Sequence, residues 1–411
     1  MKTLIHWGEY KMYEINTDVI YIKGATNGAI YDFNTNNVYS INSIACNIID
    51  KLTKEEKILL EEEKSYINLL IQNNLLNKDI KIDRYIPKIE NNIDLSLVWL
   101  EVTQGCNLKC LHCYEGDIHI PSKNVLNINE WKNIVDQLVE LDVQNIVVIG
   151  GEPCVYKDIK ELLLYLAKYN INTTLFTNAT LIDEELRKII IDNNINVKVS
   201  LYGHIAEIHD AITNKEGSFK ALIDNIKYFV DKGVKIYISV VAMKENQEYQ
   251  KEIEEFIKSL KVPYKGYDVI RNVFEGKQSM HTPDKEEIIL SSKRNKPSFW
   301  TTKEQFNINY FRNTCWYGKL VITETGEILP CVFERNLSYG NINRQSIKDI
   351  LNSKELRENW FRDFSKVNVC KDCEFRFACK DCRPLGISIK GSILDKSPRC
   401  TYNPYCGEWD D

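Results

Sequence analysis

The sequence predicts an α/β fold centred on a parallel sheet. Three observations predict it. Six short strand patterns alternate with helical patterns between Leu97 and Arg271. A strand-rich stretch, residues 1–85, precedes this alternation, and a cysteine-rich third follows it. Residues 97–103 read as the first strand and run directly into a loop of cysteines. Asn127 and Glu130 make a capping-box start, and Trp131, Ile134, Val135, Leu138 and Leu141 fall on one helical face. Residues 146–149 form a continuous apolar run, read as a buried strand. Helix 158–169, strand 171–176, helix 183–193, strand 197–201, helix 219–231, strand 234–241, helix 248–260 and a strand around 267–271 complete six βα repeats. Right-handed crossovers place the functional end of such a sheet at the carboxyl ends of its strands. The cysteine loop and a Gly-Gly-Glu-Pro loop both fall there.

Composition narrows the class of protein. The chain has 411 residues, 44% hydrophobic and 27% charged, enough for two or three domains. Its 13 cysteines are too sparse for a disulfide-stapled scaffold, so their clustering points to metal ligands in a reducing compartment. No secretory h-region precedes them, and no apolar run approaches the ~18 residues of a membrane span, so a cytoplasmic protein with no membrane partner is expected. A formal charge of −5 without a basic stripe argues against nucleic acid as a partner.

The decisive chemistry lies in Gly105-Cys106-Asn107-Leu108-Lys109-Cys110-Leu111-His112-Cys113. A cubane of four irons and four sulfides ordinarily takes four thiolates. This set supplies three and leaves one iron open, as a catalytic metal keeps a position for its ligand. S-adenosylmethionine (SAM) chelates such an iron through its amino and carboxylate groups. A three-thiolate zinc loop is the alternative that spacing alone allows. Gly150-Gly151-Glu152-Pro153 follows the second strand. Its glycines let a ligand approach the backbone, and Glu152 offers a carboxylate to an ammonium group. A tight structural loop is the alternative. In this order, the two motifs resemble those of the radical SAM superfamily.

That resemblance implies an open six-fold βα (partial TIM) barrel with Cys106, Cys110 and Cys113 holding the SAM-binding cluster. It implies that Gly150, Gly151, Glu152 and Pro153 receive the methionine amino group, and that His112 lies against the adenine. Asn178 and Ser200, ending the third and fourth strands, carry hydrogen-bonding groups suited to a ribose or carboxylate. Thr213 stands where relatives often carry an arginine for the SAM carboxylate, and Arg271 is a substitute.

In the C-terminal third, Cys315, ten residues, Gly326, four residues and Cys331 precede Cys370-x2-Cys373-x5-Cys379-x2-Cys382, Cys400 and Cys406. A zinc ribbon shares such pairs. The pattern resembles the SPASM domain, whose cysteines hold two auxiliary clusters, making three [4Fe–4S] clusters in all. The resemblance implies a distal cluster on Cys370, Cys373, Cys379 and Cys400, and a proximal one on Cys315, Cys331 and Cys382. Val321 stands where some relatives have a further cysteine, so either Cys406 completes the proximal cluster or one iron stays open. Cys46 and Cys154 read as small buried hydrophobes.

Residues 1–85 pattern as a hairpin, a returning strand and two helices, and resemble the winged-helix elements that bind leader peptides by strand addition. The expected organisation is a recognition domain at 1–85, the barrel at 93–300 and the auxiliary-cluster domain at 310–411. The resemblance implies an enzyme in which an electron, from a donor such as flavodoxin or ferredoxin, cleaves SAM to a radical that takes a hydrogen from a peptide. The expected product is a thioether between a cysteine sulfur and a carbon of a leader-bearing precursor peptide, with a carbon–carbon cross-link as the nearest variant. A sulfatase-maturing enzyme is less favoured, since Val332 stands where those relatives carry an aspartate. An iron–sulfur redox-sensing module would need no Gly150–Pro153 loop.

Overall fold

A computed structural model describes residues 13–53, 60–78, 86–88, 95–113, 120–270, 280–292, 299–380 and 382–409. Strands β1 (Tyr13–Ile15), β2 (Val19–Lys23), β3 (Gly28–Asp32), β4 (Asn37–Ile41) and β5 (Leu76–Lys78) form the N-terminal part. β2, β3 and β4 make an antiparallel meander, and β1 pairs with β5. All five residues of β3 are buried, so both faces of this small sheet are covered. Strand alternation explains how. Ile30 points to helices Ser43–Thr53 and Glu61–Gln72, where Ile48, Ile49, Ile67 and Leu70 meet it. Ala29 and Tyr31 point the other way, onto Phe306, Phe375, Phe377 and Tyr402. The Tyr31 hydroxyl donates to the Glu374 carbonyl at 2.8 Å. The N-terminal sheet and the C-terminal lobe therefore share one core across segments the sequence divides.

The six predicted repeats are present as parallel strands in chain order: β6 (Leu97–Glu101), β7 (Asn145–Ile149), β8 (Asn172–Thr177), β9 (Asn196–Leu201), β10 (Ile236–Ala242) and β11 (Asp268–Val269). Strand boundaries agree with the sequence pattern to within two residues up to β10. Arg271, the substitute partner for SAM, lies outside the described residues. The capping box opening helix Ile128–Glu140 is formed: Asn127 Oδ1 accepts the Glu130 N–H at 3.2 Å, and Glu130 Oε2 accepts the Asn127 N–H at 2.7 Å. Trp131, Ile134, Val135 and Leu138 of its predicted face are buried.

Beyond β6 the sheet continues with β12 (Lys319–Ile322), β13 (Glu327–Leu329) and β14 (Gly340–Asn341). β12 lies parallel to β6, and the other two are antiparallel. Independent βα repeats gave no sign of this nine-stranded union. Its physical reason is the open edge of β6, whose backbone groups β12 pairs. A last hairpin joins β15 (Tyr402–Asn403) and β16 (Glu408–Trp409). Among the described residues, no helix is long and apolar enough to cross a membrane.

Candidate active site and thiol clusters

The cysteine loop leaves β6 and is fixed at three places. Gly151 N–H donates to the Thr103 carbonyl at 2.7 Å, and Glu152 N–H to the Gly105 carbonyl at 2.8 Å. Further along, Leu111 N–H donates to the carbonyl of Ile212 at 3.0 Å, on helix Ala206–Thr213. The glycines of the second motif serve this packing. A Cβ on Gly150 would strike the Thr103 carbonyl, and one on Gly151 the carbonyls of Gln104 and Gly105. Glycine there lets two loops lie against each other, which is a stronger demand than ligand access.

One cavity at the carboxyl ends of the strands collects most of the predicted residues. Cys106, Cys110, His112, Cys113, Gly150, Gly151, Glu152, Asn178 and Ser200 line it. Pro153 is buried as the first residue of a 3₁₀ turn and is not among the lining residues. Glu152 is fully buried; its carboxylate accepts the Thr177 hydroxyl at 2.6 Å, the Asn178 N–H at 2.7 Å and the Cys154 N–H at 3.0 Å. Burial pushes its pKa up, and these three bonds oppose that. Asn178 donates from its amide to Asn107 Oδ1 at 2.9 Å and accepts from Thr180, so it ties the third strand to the cysteine loop.

His112 packs edge-on against Tyr202, with ring centroids 4.6 Å apart, and its Nδ1 is buried without a partner. Burial lowers its pKa to about 4, so it faces the cavity as a neutral ring. Such a ring suits a planar apolar base. Thr213 is fully buried and its hydroxyl is engaged by His209, Asp210 and Ser218. Sequence reasoning overlooked Tyr202 and Thr177, although both sit at strand ends, where position was a sufficient signal. It also missed the bidentate pair between fully buried Glu101 and Arg335, with Nη2···Oε2 at 2.6 Å, which links β6 to the segment after Cys331.

The thiols fall into three groups. Burial, with the charges of Glu152 and Cys113 added, raises Cys106 to about 11, and burial with the charges of Cys106 and Cys113 raises Cys110 to about 12. Cys370, Cys373, Cys379 and Cys400 line one apolar cavity with Phe375, Tyr402 and Trp409. Cys315 is hydrogen-bonded to Cys382 and sits in the field of Cys331, and both effects raise its pKa. Among the described residues no three such side chains close on a single ion. The first two groups border cavities instead, and buried thiols that oppose one another's ionisation suit a cationic multi-iron group. Val369, immediately before Cys370, has φ 66°, and the Cys370 N–H reaches back to the Asn368 carbonyl at 2.8 Å. A β-branched residue in that region costs about 1–3 kcal/mol, which the surrounding structure must offset.

Cys406 is not among the residues that line the cavity of Cys370, Cys373, Cys379 and Cys400. It is the exposed cysteine, on the turn between β15 and β16, with its thiol 3.7 Å from the Asn403 carbonyl. Cys406→Ser is therefore expected to keep the parent's iron and sulfide content. Loss of a whole cluster's iron on that substitution would restore Cys406 as a ligand.

Fold and site together define an enzyme that binds SAM beside an iron–sulfur cluster at the mouth of a partial βα barrel. The chain is a radical SAM enzyme with a SPASM domain: residues 100–258 match the Radical SAM superfamily, and residues 315–374 match SPASM, the iron–sulfur cluster-binding domain. These domains imply SAM and [4Fe–4S] clusters. The chain is similar to the AdoMet-dependent heme synthase of Oleidesulfovibrio alaskensis, 25% identical over 75% of this chain and 87% of that protein. It is also similar to the antilisterial bacteriocin subtilosin biosynthesis protein AlbA of Bacillus subtilis, 26% identical over 70% of this chain and 67% of the other. In fold it is similar to Streptococcus suis SuiB bound to precursor peptide SuiA, with TM-score 0.58 and 19% identity over 95% of this chain and 98% of SuiB.

Proposed function

We propose that this chain is a peptide maturase that takes a hydrogen from a ribosomally made precursor peptide and joins a cysteine sulfur to the resulting carbon. The observation that carries this reading is a groove of about 790 Å³ in the N-terminal part, lined by Ser40, Ile41, Ile44, Lys51, Leu60 and Tyr66. It runs beside edge strand β4. One end of that edge is already engaged, since Val38 N–H donates to the Phe299 carbonyl at 2.8 Å and Asn37 bridges Trp300. The Ser40–Ile41 end opens into the groove, where an extended leader segment would continue the sheet. Ile44 and Leu60, 69% and 57% exposed, offer apolar anchors beside it. The likeness to SuiB, seen with its precursor peptide, covers nearly the whole chain, and AlbA belongs to bacteriocin biosynthesis.

The bound cluster and SAM supply hydrogen abstraction; the chain supplies position. Three clusters fit the three thiol groups. Cys315, Cys331 and Cys382 offer three thiolates, so a substrate cysteine would complete the proximal set as the fourth. Thioether formation removes one hydrogen from carbon and one proton from sulfur. The second electron needs an acceptor, which auxiliary clusters held by the two C-terminal thiol groups would supply, and an external donor such as flavodoxin or ferredoxin would start each turnover. The similarity to heme synthases favours a second reading, with a heme precursor as substrate.

Mass spectrometry after incubation with a precursor peptide tests the reading. Loss of two hydrogens per cross-link, with the cysteine no longer alkylated, is expected. Formation of heme from a heme precursor, with the peptide untouched, would establish the second reading instead. The groove has its own test. Ile44→Asp should weaken leader binding by roughly tenfold, about 1–2 kcal/mol, as truncating an interface anchor does. SAM cleavage without peptide should be unchanged, and unaltered leader affinity would remove the groove from the recognition surface.

A further inference from the structure

Glu324 sits in the turn between β12 and β13, 1% exposed, within the segment that links Cys315 to Cys331. Gly326, at φ +83°, and its N–H to the Thr323 carbonyl at 2.9 Å close that turn. The Glu324 carboxylate reaches across to the cysteine loop. Oε2 accepts the Gln104 backbone N–H at 2.7 Å, and Oε1 accepts the Ser122 backbone N–H at 2.6 Å. Those two residues are 18 apart and enclose Cys106, Cys110 and Cys113 between them. The Ser122 hydroxyl donates to Gln104 Oε1 at 3.0 Å, closing the same neck. The Glu324 carbonyl also accepts the Leu126 N–H at 2.7 Å. Pro121 presses on Gly105 so tightly that a Cβ there would lie 3.1 Å from its ring.

We propose that Glu324 is a positioning residue that ties both ends of the radical-cluster loop to the auxiliary-cluster domain. Both partners are neutral amides, so a buried carboxylate is held here by short, charge-assisted bonds rather than by a cation. An amide side chain of the same shape cannot replace it, because its NH₂ would confront one of the two N–H donors. The consequence is mechanical. β6 and β12 are paired in parallel, β6 leading into Gln104 and β12 into Glu324, and a shift of the β12–β13 turn moves the loop that would hold the SAM-binding cluster.

The test needs no peptide, so its outcome is independent of the proposed substrate. Reconstituted Glu324→Gln and Glu324→Asp variants are compared with the parent for 5′-deoxyadenosine formation and for the electron paramagnetic resonance spectrum of the reduced protein with and without SAM. A misplaced loop is expected to slow SAM cleavage about 10–100-fold in Glu324→Gln. The SAM-induced change in the radical-cluster signal should shrink while the auxiliary signals stay as in the parent. Glu324→Asp, which keeps the charge and both acceptors, should recover part of the rate. Cleavage within twofold of the parent with an unchanged SAM-dependent signal would overturn the proposal. So would loss of auxiliary clusters together with the radical cluster, which would mark Glu324 as a general support of the fold. Should Glu324→Gln fail to accumulate, hydrogen exchange at Gln104 and Ser122 in the Asp variant decides the matter, with parent-like protection and a parent-like rate counting against it.

Discussion

Replacing Cys106, Cys110 and Cys113 together by alanine is expected to abolish reductive SAM cleavage and to remove one cluster's worth of iron and sulfide. The auxiliary clusters should survive, because their thiols lie in a different part of the structure. Cys370, Cys373, Cys379 and Cys400 share a cavity with Phe375 and Tyr402. That cavity borders the core built with the N-terminal sheet. Nothing in that core depends on the 106–113 loop. The loop's own anchors are mostly backbone bonds from Thr103, Gly105 and Leu111, which alanine keeps. Iron analysis, sulfide analysis and chromatographic detection of 5′-deoxyadenosine check this. Undiminished 5′-deoxyadenosine from the triple variant would place SAM cleavage somewhere other than this loop.

Much of the barrel was legible because its signals are local. Strand 146–149 carries an unbroken apolar run, strand 197–201 alternates Val197, Val199 and Leu201 with Lys198 and Ser200, and the Asn127–Glu130 capping box announces its helix within four residues. The cysteine loop and Gly150–Glu152 were readable for the same reason, since each motif is contiguous and topology alone brings them to the same end of the sheet. What remained hidden depends on long-range pairing. β12 joins β6 across more than two hundred residues, and the Glu101–Arg335 and Glu324–Gln104 contacts ride on that union. No periodicity in either segment encodes the partner. The N-terminal sheet shows the same limit: both faces of β3 are buried because Phe306 and Phe375, far along the chain, cover one of them. Gly150 and Gly151 were read as openings for a ligand, and their neighbours show that backbone of the adjoining loop needs the space first.

Glu152→Gln is expected to weaken SAM binding by about 1.5–3 kcal/mol, a loss of roughly 10–150-fold in affinity. The carboxylate is fully buried at the cavity, and its three donors, the Thr177 hydroxyl and the Cys154 and Asn178 amides, are all neutral. A buried anion without a cation at a ligand cavity is an incomplete pair, and an ammonium group completes it. Glutamine has nearly the same shape but one acceptor oxygen, so its NH₂ must face a donor on one side, and it offers no charge to the ammonium. Thr177→Ala separates the two effects, since it removes a single bond from Oε1 and leaves the charge. That variant should cost only about 0.5–1.5 kcal/mol in SAM affinity. Iron content should match the parent in both, because neither residue is a thiolate. Equal losses in the two variants would mean that the loop's order, not the charge, sets the affinity. Unaltered affinity in Glu152→Gln would leave Glu152 as a cap on the 3₁₀ turn that begins at Pro153.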